Sequence, residues 1–325
     1  MPWRAFLARA APAARSADRA RSAFGLGRVM RDGYAVGGLV CVTAIALGIL
    51  ASPVDPTTFY NGRLPDPYSH ATYSLMQPGF FYSPAVAQLL EPFRLLPVAV
   101  FGALWVGALM GILYAMLGRR AILGLMFVPV GWEIFTGNIH LVFAAVVILG
   151  FRYPALWAIP MLTKVTPGVG LLWFVARREW RSLAIALGTT GAIAMASFLI
   201  APDLWHRWID VLIANRNATA DYPAVPIPLL FRLPVAAALV VWGARTDRRW
   251  TLLVATMISV PVMWWTSLSM LVGLVPLRRL ERARARARLV RSAEILVLRT
   301  GPRELVPVMV PVAVEAETSG PLVHS

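Results

Sequence analysis

The sequence predicts an all-α polytopic membrane protein, and three observations support this fold class. Hydrophobic residues make up 58% of the 325-residue chain and charged residues 14%, and the mean hydropathy is +0.66. Long uncharged apolar segments recur along the chain, a composition that excludes a soluble globular domain. The formal net charge of +15 is concentrated at the two ends and in short turns. That distribution is typical of membrane topology rather than of nucleic-acid binding.

The chain begins with a basic segment and an apolar helix. Residues 1–32 hold seven Arg against two Asp and are predicted to be cytoplasmic. Residues 35–51 are uncharged and, with their flanks, long enough for one crossing. A cleaved signal peptide is the alternative, but the long basic region and the many later apolar segments favour an uncleaved helix. The first loop, 53–96, has a net charge of −1 and is predicted to lie outside.

The following apolar segments alternate across the membrane, with basic turns on the inside. Crossings are predicted for 97–117, 121–135, 139–151, 182–200 and 227–244. Segments 153–163 and 166–176 are each too short for a comfortable span, and Pro167 breaks the second one. We therefore expect two short or tilted helices that meet at an outer elbow carrying Lys164. A second outer loop, 201–225, also has a net charge of −1.

The C-terminal part is predicted to return to the cytoplasm. A single crossing over 250–277 would place the seven Arg of 278–291 outside, so we expect a hairpin broken at Pro261. This gives about 8–10 membrane segments with both termini inside. The expected organisation is a cytoplasmic segment 1–32, a transmembrane domain 33–277 and a basic, flexible cytoplasmic tail 278–325. Because the chain uses Arg almost without Lys, which suggests a GC-rich genome, we expect a bacterial plasma membrane.

Lys164 is the only lysine in the chain, beside thirty arginines, and it lies in the apolar run 155–176. An ammonium is a compact point charge that can meet a phosphate or a polarised oxygen at one position. A cation at membrane depth is costly and indicates a functional site. The alternative is a lysine near a helix end whose ammonium reaches the interface.

The predicted topology gathers unusual polar residues on the outer side. They are Asp55, Tyr60, Asp66, the turn from Glu133 to His140, Lys164 and Arg232. A carboxylate and cations beneath an apolar bundle suit proton abstraction from a hydroxyl while a lipid-phosphate leaving group is neutralised. The hypothesis is sugar transfer at the membrane surface. One cysteine and four dispersed histidines supply no metal-ligand set, so no metal and no cofactor are expected.

Three motifs carry a resemblance to a known family. The first loop contains Asp55, Tyr60, Gly62, Pro67-Tyr68, Phe80-Phe81-Tyr82-Ser83-Pro84 and Leu96-Pro97. A polar turn follows as Gly137-Asn138-Ile139-His140, and the third motif comprises Lys164, Pro167, Arg177-Arg178 and Trp180-Arg181. From 31 to 277 the chain resembles the membrane-embedded GT-C glycosyltransferases of family 87, which include polyprenyl-phosphate-mannose-dependent mannosyltransferases.

The resemblance implies a GT-C-like helical bundle with an extracytoplasmic first loop. It implies inverting, metal-independent transfer of a sugar, mannose by expectation, from a polyprenyl-phosphate donor to a glycolipid or cell-envelope glycan. Asp55 would be the general base with Asp66 in reserve, and Lys164 would hold the donor phosphate with help from Arg232. The candidates for the substrate pocket are Tyr60, Tyr82, Glu133, Asn138, His140, Trp264 and Thr266.

The chain also departs from the family pattern, and alternatives stay open. Thr266 stands where a histidine is expected, and Asn138 and His140 change the polar turn. Asp55 could be a helix cap or turn residue before Pro56, and His140 a polar residue at a helix start. The competing functions are a transporter or flippase that uses the same cavity, and an inactive relative that binds lipid or acts as an envelope scaffold.

Overall fold

The computed structural model describes residues 54–69, 79–215 and 225–300. Every regular element in these ranges is helical, which confirms the predicted all-α fold. The α-helices are α1 (Val54–Asn61), α2 (Pro84–Leu90), α3 (Val98–Leu117), α4 (Ala121–Met126), α5 (Val128–Thr136), α6 (His140–Gly150), α7 (Ala158–Thr163), α8 (Leu172–Ala176), α9 (Trp180–Ile200), α10 (Pro202–Ala214), α11 (Leu229–Thr246), α12 (Trp250–Ile258) and α13 (Leu274–Thr300). The 3₁₀ helices are Glu91–Leu95, Gly118–Arg120, Pro154–Trp157, Thr166–Leu171 and Trp265–Gly273.

Three helical stretches among the described residues are long and apolar enough to cross a membrane. They are Val98–Met126, Trp180–Ile200 and Leu229–Thr246, and the pair α5 and α6 makes a fourth if it is counted as one broken span. At about 1.5 Å per residue, the 21 residues of α9 match the thickness of a bilayer core. The polytopic membrane fold is therefore confirmed.

The described residues contain fewer full crossings than the 8–10 segments predicted, because several apolar segments form short helices. The predicted crossing 121–135 is divided into α4 and α5, and α5 meets α6 at a bend of 109°. Gly137, in a left-handed conformation with φ 73°, ends α5. The predicted first crossing, 35–51, lies outside the described residues.

Two predicted breaks are confirmed. Short helices precede and follow Lys164, as expected from their length and from Pro167. At the second break α12 ends at Ile258, and the chain resumes after Pro261 as the 3₁₀ helix Trp265–Gly273. The first break places Lys164, and the second places Thr266 and Ser267, within apolar parts of the chain.

Both segments expected to be outer loops contain helices. The first includes α1 and α2, and the second begins with α10. In α10, Leu204 and Trp208 are one turn apart and buried, while Arg207 is exposed. This amphipathic helix packs on an aromatic cluster that includes Tyr68 and Phe80. The spacing of its apolar residues indicates the helix, whereas net charge alone suggested a loop.

The core is built around α6, of whose 11 residues ten are buried. It packs against α3, α12 and the 3₁₀ helix Trp265–Gly273. The polar N-terminus of this central helix, at His140, therefore lies within the core. At the other end of the chain, α13 continues through residues 278–300, which were expected to be a flexible tail. Residues 301–325 lie outside the described part.

Candidate functional site

A tight polar turn joins α5 to the central helix α6. The N–H groups of Gly137 and Asn138 both donate to the Glu133 carbonyl, at 2.8 and 3.2 Å. The side-chain oxygen of Asn138 accepts from the Ile139 N–H at 2.8 Å. The turn thus satisfies its own backbone and leaves the Glu133 and His140 side chains free to meet in the core.

Glu133 and His140 form a fully buried pair, since both are 0% exposed. His140 Nδ1 lies 3.0 Å from Glu133 Oε2, and the Leu141 N–H donates to Glu133 Oε1 at 3.1 Å. On the opposite edge of the ring, His140 Nε2 lies 3.1 Å from Ser267 Oγ and 3.5 Å from Lys164 Nζ. Three helical segments therefore converge on one imidazole.

The 3₁₀ helix Trp265–Gly273 supplies hydroxyl groups to this centre. Residues three apart share a face in a 3₁₀ helix, so Thr266 and Ser269 lie on one face beside Ser267. Ser269 Oγ is buried and has no hydrogen-bond partner among the described residues. Thr266 Oγ1 is buried without a hydrogen-bond partner among the described residues. Ser267 and Ser269 were missed as site residues, although three hydroxyl residues in four positions of an apolar run were a visible signal.

Lys164 lies at a strained turn after α7. The N–H groups of Lys164 and Val165 both donate to the Pro160 carbonyl, at 2.9 and 3.0 Å. Val165 has φ 53° and ψ −59°, and the Thr166 N–H donates to the Lys164 carbonyl at 2.6 Å. This is a γ-turn of the rare, strained hand, centred on a β-branched residue. The backbone therefore reverses direction immediately after Lys164, the residue that carries the ammonium.

The Lys164 side chain is half-buried, and its ammonium faces the ring edge of His140 that is opposite Glu133. Val165, next to it, is 43% exposed. The ammonium thus connects the buried pair to the accessible edge of the turn. A half-buried cation with fixed neighbours can meet an anionic group that approaches from that edge.

The segment before α2 docks on this turn. The Ser83 N–H donates to the Leu162 carbonyl at 3.1 Å, two residues before Lys164. The Tyr82 ring packs against Phe59 and Phe80, with ring centroids 5.2 and 5.5 Å away. The predicted pocket residue Tyr82 is therefore held close to the turn by its neighbour Ser83.

Asp55 lies in the first turn of α1, and its side chain is outside what the structure describes. One turn later, Phe59 packs against Trp105 with 5.1 Å between ring centroids. The Trp105 indole N–H donates to the Gly137 carbonyl at 2.5 Å. The helix that carries Asp55 is thereby tied to the turn between Glu133 and His140.

Tyr60 connects α1 to the residues before α3. Its hydroxyl donates to the Leu96 carbonyl at 3.0 Å. In return, the Arg94 guanidinium donates to the carbonyls of Phe59 and Tyr60, at 3.2 and 3.1 Å, and pairs with Glu91. Burial lowers the pKa of the Arg94 guanidinium, and the Glu91 carboxylate opposes that shift. These contacts show that Tyr60 fixes α1 to the residues before α3.

Asp66, the reserve base, has the contacts of a turn residue. Its Oδ1 accepts from the Tyr68 N–H at 3.4 Å and lies 3.7 Å from Arg207 Nη1. The second contact is an ion pair between two half-exposed side chains. The described contacts do not bring Asp66 to Lys164 or His140.

Arg232 is buried and serves the break at Pro261. Its guanidinium donates to the carbonyls of Ile227, Ile258, Val260 and Pro261, at 2.7 to 2.9 Å. It therefore fixes the end of α12 and the start of the link to the next 3₁₀ helix. In that link the Trp264 carbonyl accepts from the Ser267 N–H at 2.9 Å. The described contacts connect Arg232 to the site only through this backbone.

A comparison with protein-family models matches residues 80–300 to the family described as glycosyltransferase family 87. The matched range includes Glu133, His140, Lys164 and Ser267, and it begins after Asp55. No curated protein and no solved structure matches the chain significantly.

Proposed function

Because the chain belongs to glycosyltransferase family 87, we propose that this membrane glycosyltransferase takes its sugar from a polyprenyl-phosphate donor. The proposed sugar is mannose, and the proposed acceptor is a glycolipid or cell-envelope glycan on the extracytoplasmic side of a bacterial plasma membrane. The resemblance of the sequence motifs supports the donor. Each predicted outer loop holds only two Arg and no Lys, which supports the side of the membrane.

Lys164 is the observation that carries the proposal. It is the only lysine, it is the first residue of a strained turn, and it lies in an apolar part of the fold. A lipid phosphate gains negative charge when the bond between the sugar and the phosphate oxygen breaks. A fixed ammonium at that point stabilises the leaving group. We expect no metal requirement, since Lys164 can supply the positive charge.

Asp55 is the proposed general base. The acceptor oxygen attacks the anomeric carbon, the bond to the donor phosphate breaks, and the acceptor proton passes to the Asp55 carboxylate. One displacement inverts the anomeric configuration. The link from Phe59 through Trp105 to Gly137 supports this role, because it ties the helix of Asp55 to the polar centre. Asp66 is disfavoured by its contacts with Tyr68 and Arg207.

The test measures transfer of labelled mannose from polyprenyl-phosphate-mannose to endogenous lipids in membranes that contain the protein. Asp55→Asn is expected to reduce transfer on the order of 10²- to 10⁴-fold while donor binding is retained. Asp66→Asn is the matched carboxylate control and should transfer at nearly the unsubstituted rate. If transfer is lost with Asp66→Asn but not with Asp55→Asn, Asp66 is the general base and Asp55 is not. Absence of transfer by the unsubstituted protein with every polyprenyl-phosphate hexose would favour the transport or scaffold function.

A further inference from the structure

We assign the hydrogen-bond directions around His140 from its contact with the Lys164 ammonium. The Lys164 ammonium can only donate, so the His140 Nε2 that faces it at 3.5 Å acts as an acceptor. Nε2 then carries no hydrogen, and the ring proton is on Nδ1. The Nδ1–H donates to Glu133 Oε2, 3.0 Å away.

Glu133 accepts at both oxygens, since Oε1 receives the Leu141 N–H. We assign Glu133 as an ionised carboxylate, the form in which both oxygens accept. The three groups in contact are thus the Glu133 carboxylate, the neutral His140 imidazole and the Lys164 ammonium. The carboxylate orients the imidazole, and the imidazole orients the ammonium. The Ser267 hydroxyl, 3.1 Å from Nε2, lies on the same edge of the ring as Lys164.

We propose that the buried Glu133–His140 pair positions Lys164. The Glu133 carboxylate accepts from the imidazole Nδ1–H, which leaves Nε2 as an acceptor, and Nε2 holds the Lys164 ammonium where the donor phosphate binds. The inference rests on the proposed function, since it assigns Lys164 to the donor phosphate. Glu133 and His140 are positioning residues that act through Lys164.

Two costly features support this assignment. A carboxylate and an imidazole that are both 0% exposed have lost their hydration, which an apolar pair of the same volume would not require. The γ-turn at Val165 adds backbone strain at the next residue. Both features lie next to the same ammonium.

The sole lysine allows a direct test that does not depend on transfer. The full chain in lipid nanodiscs is treated with a small amine-acylating reagent, and the acylation rate of Lys164 is measured by peptide mass spectrometry. The imidazole acceptor favours the unreactive ammonium form, so His140→Leu is expected to raise this rate about tenfold. His206→Leu, at an exposed histidine of α10, is the control and should leave the rate unchanged.

Two further variants separate positioning from packing. His140→Gln keeps an acceptor and should stay within about threefold of the unsubstituted rate. Glu133→Gln has one acceptor oxygen for two donors, the Leu141 N–H and the His140 Nδ1–H, so it should raise the rate although its shape is conserved. If His140→Leu does not fold, the decision rests on these two variants. Equal acylation rates in all folded variants would overturn the proposal.

Transfer kinetics provide the second readout. Positioning predicts that His140→Leu raises KM for the polyprenyl-phosphate donor about tenfold, and that it has no further effect in a Lys164→Ala background. Additive losses in the two backgrounds would overturn the proposal. If the unsubstituted protein transfers no sugar, the proposed function fails, while the acylation rates still decide whether the pair positions Lys164.

Discussion

Lys164 and Arg232 are two cations at breaks in apolar helices, and the fold uses them in different ways. Arg232 is 7% exposed, and four backbone carbonyls accept from its guanidinium. Lys164 is half-buried beside a strained turn, and its ammonium lies 3.5 Å from the imidazole of His140.

The difference follows from the shapes of the two groups. A guanidinium has five donors in a rigid fork and can satisfy several carbonyls left open where a helix ends. An ammonium concentrates its charge at one point and suits an anion. The comparison indicates that Arg232 stabilises the break at Pro261, and it agrees with the role at the donor phosphate that we propose for Lys164.

The largest expected effect comes from Arg232→Lys. An ammonium cannot reach all four carbonyls, so buried acceptors lose their partners, and the free energy of unfolding should fall by about 3 kcal/mol. Unfolding by SDS in mixed micelles measures the change. The matched control is Arg207→Lys, whose half-exposed ion pair with Asp66 should contribute at most about 1 kcal/mol. An equal effect of the two substitutions would remove the distinction between Arg232 and an ordinary surface arginine.

Lys164→Arg is the reverse exchange and should affect transfer more than folding. The larger, planar guanidinium cannot take the same position beside His140, so we expect at least about a tenfold loss of kcat/KM, or about 1.4 kcal/mol. Steady-state transfer and the unfolding midpoint are measured on the same preparation. Retention of full activity would mean that charge alone matters at this position.

Val165→Gly has the smallest expected effect. Glycine adopts positive φ without strain, which offsets its greater flexibility in the unfolded chain, so stability should change by about 0.5 kcal/mol or less. Val175→Gly is a matched control in α8, since Val175 is 40% exposed and Val165 is 43% exposed. In a helix the same change relieves no strain and loses both helix propensity and the contacts of a half-buried side chain, so it should cost about 1 kcal/mol. If Val165→Gly is as destabilising as the control, the turn at Val165 is not strained.

The sequence was sufficient to predict the helical breaks, and it selected Lys164 as a candidate site residue. Proline and short apolar runs indicated both breaks, and a single lysine among thirty arginines was visible in the composition. The partners of Lys164 could be predicted only in part. Glu133 and His140 lie seven residues apart and were both selected, but Ser267 lies 127 residues after His140 and is brought to it only by packing.

The role of Arg232 was harder to foresee, because its partners are backbone carbonyls, which have no signature in the side-chain pattern. The sequence suggested a phosphate contact, whereas the structure shows a guanidinium already bonded to four carbonyls. The strained φ of Val165 was also unexpected, since a β-branched residue disfavours that conformation. Such features depend on tertiary contacts that local sequence does not encode.

The most direct test of the account is whether a polyprenyl phosphate protects Lys164 from acylation in nanodiscs. The lipid phosphate should slow acylation of this sole lysine severalfold, while the uncharged polyprenol of the same chain length should have no effect. Equal acylation rates with the phosphate, with the polyprenol and without either would contradict the assignment of Lys164 to the donor phosphate.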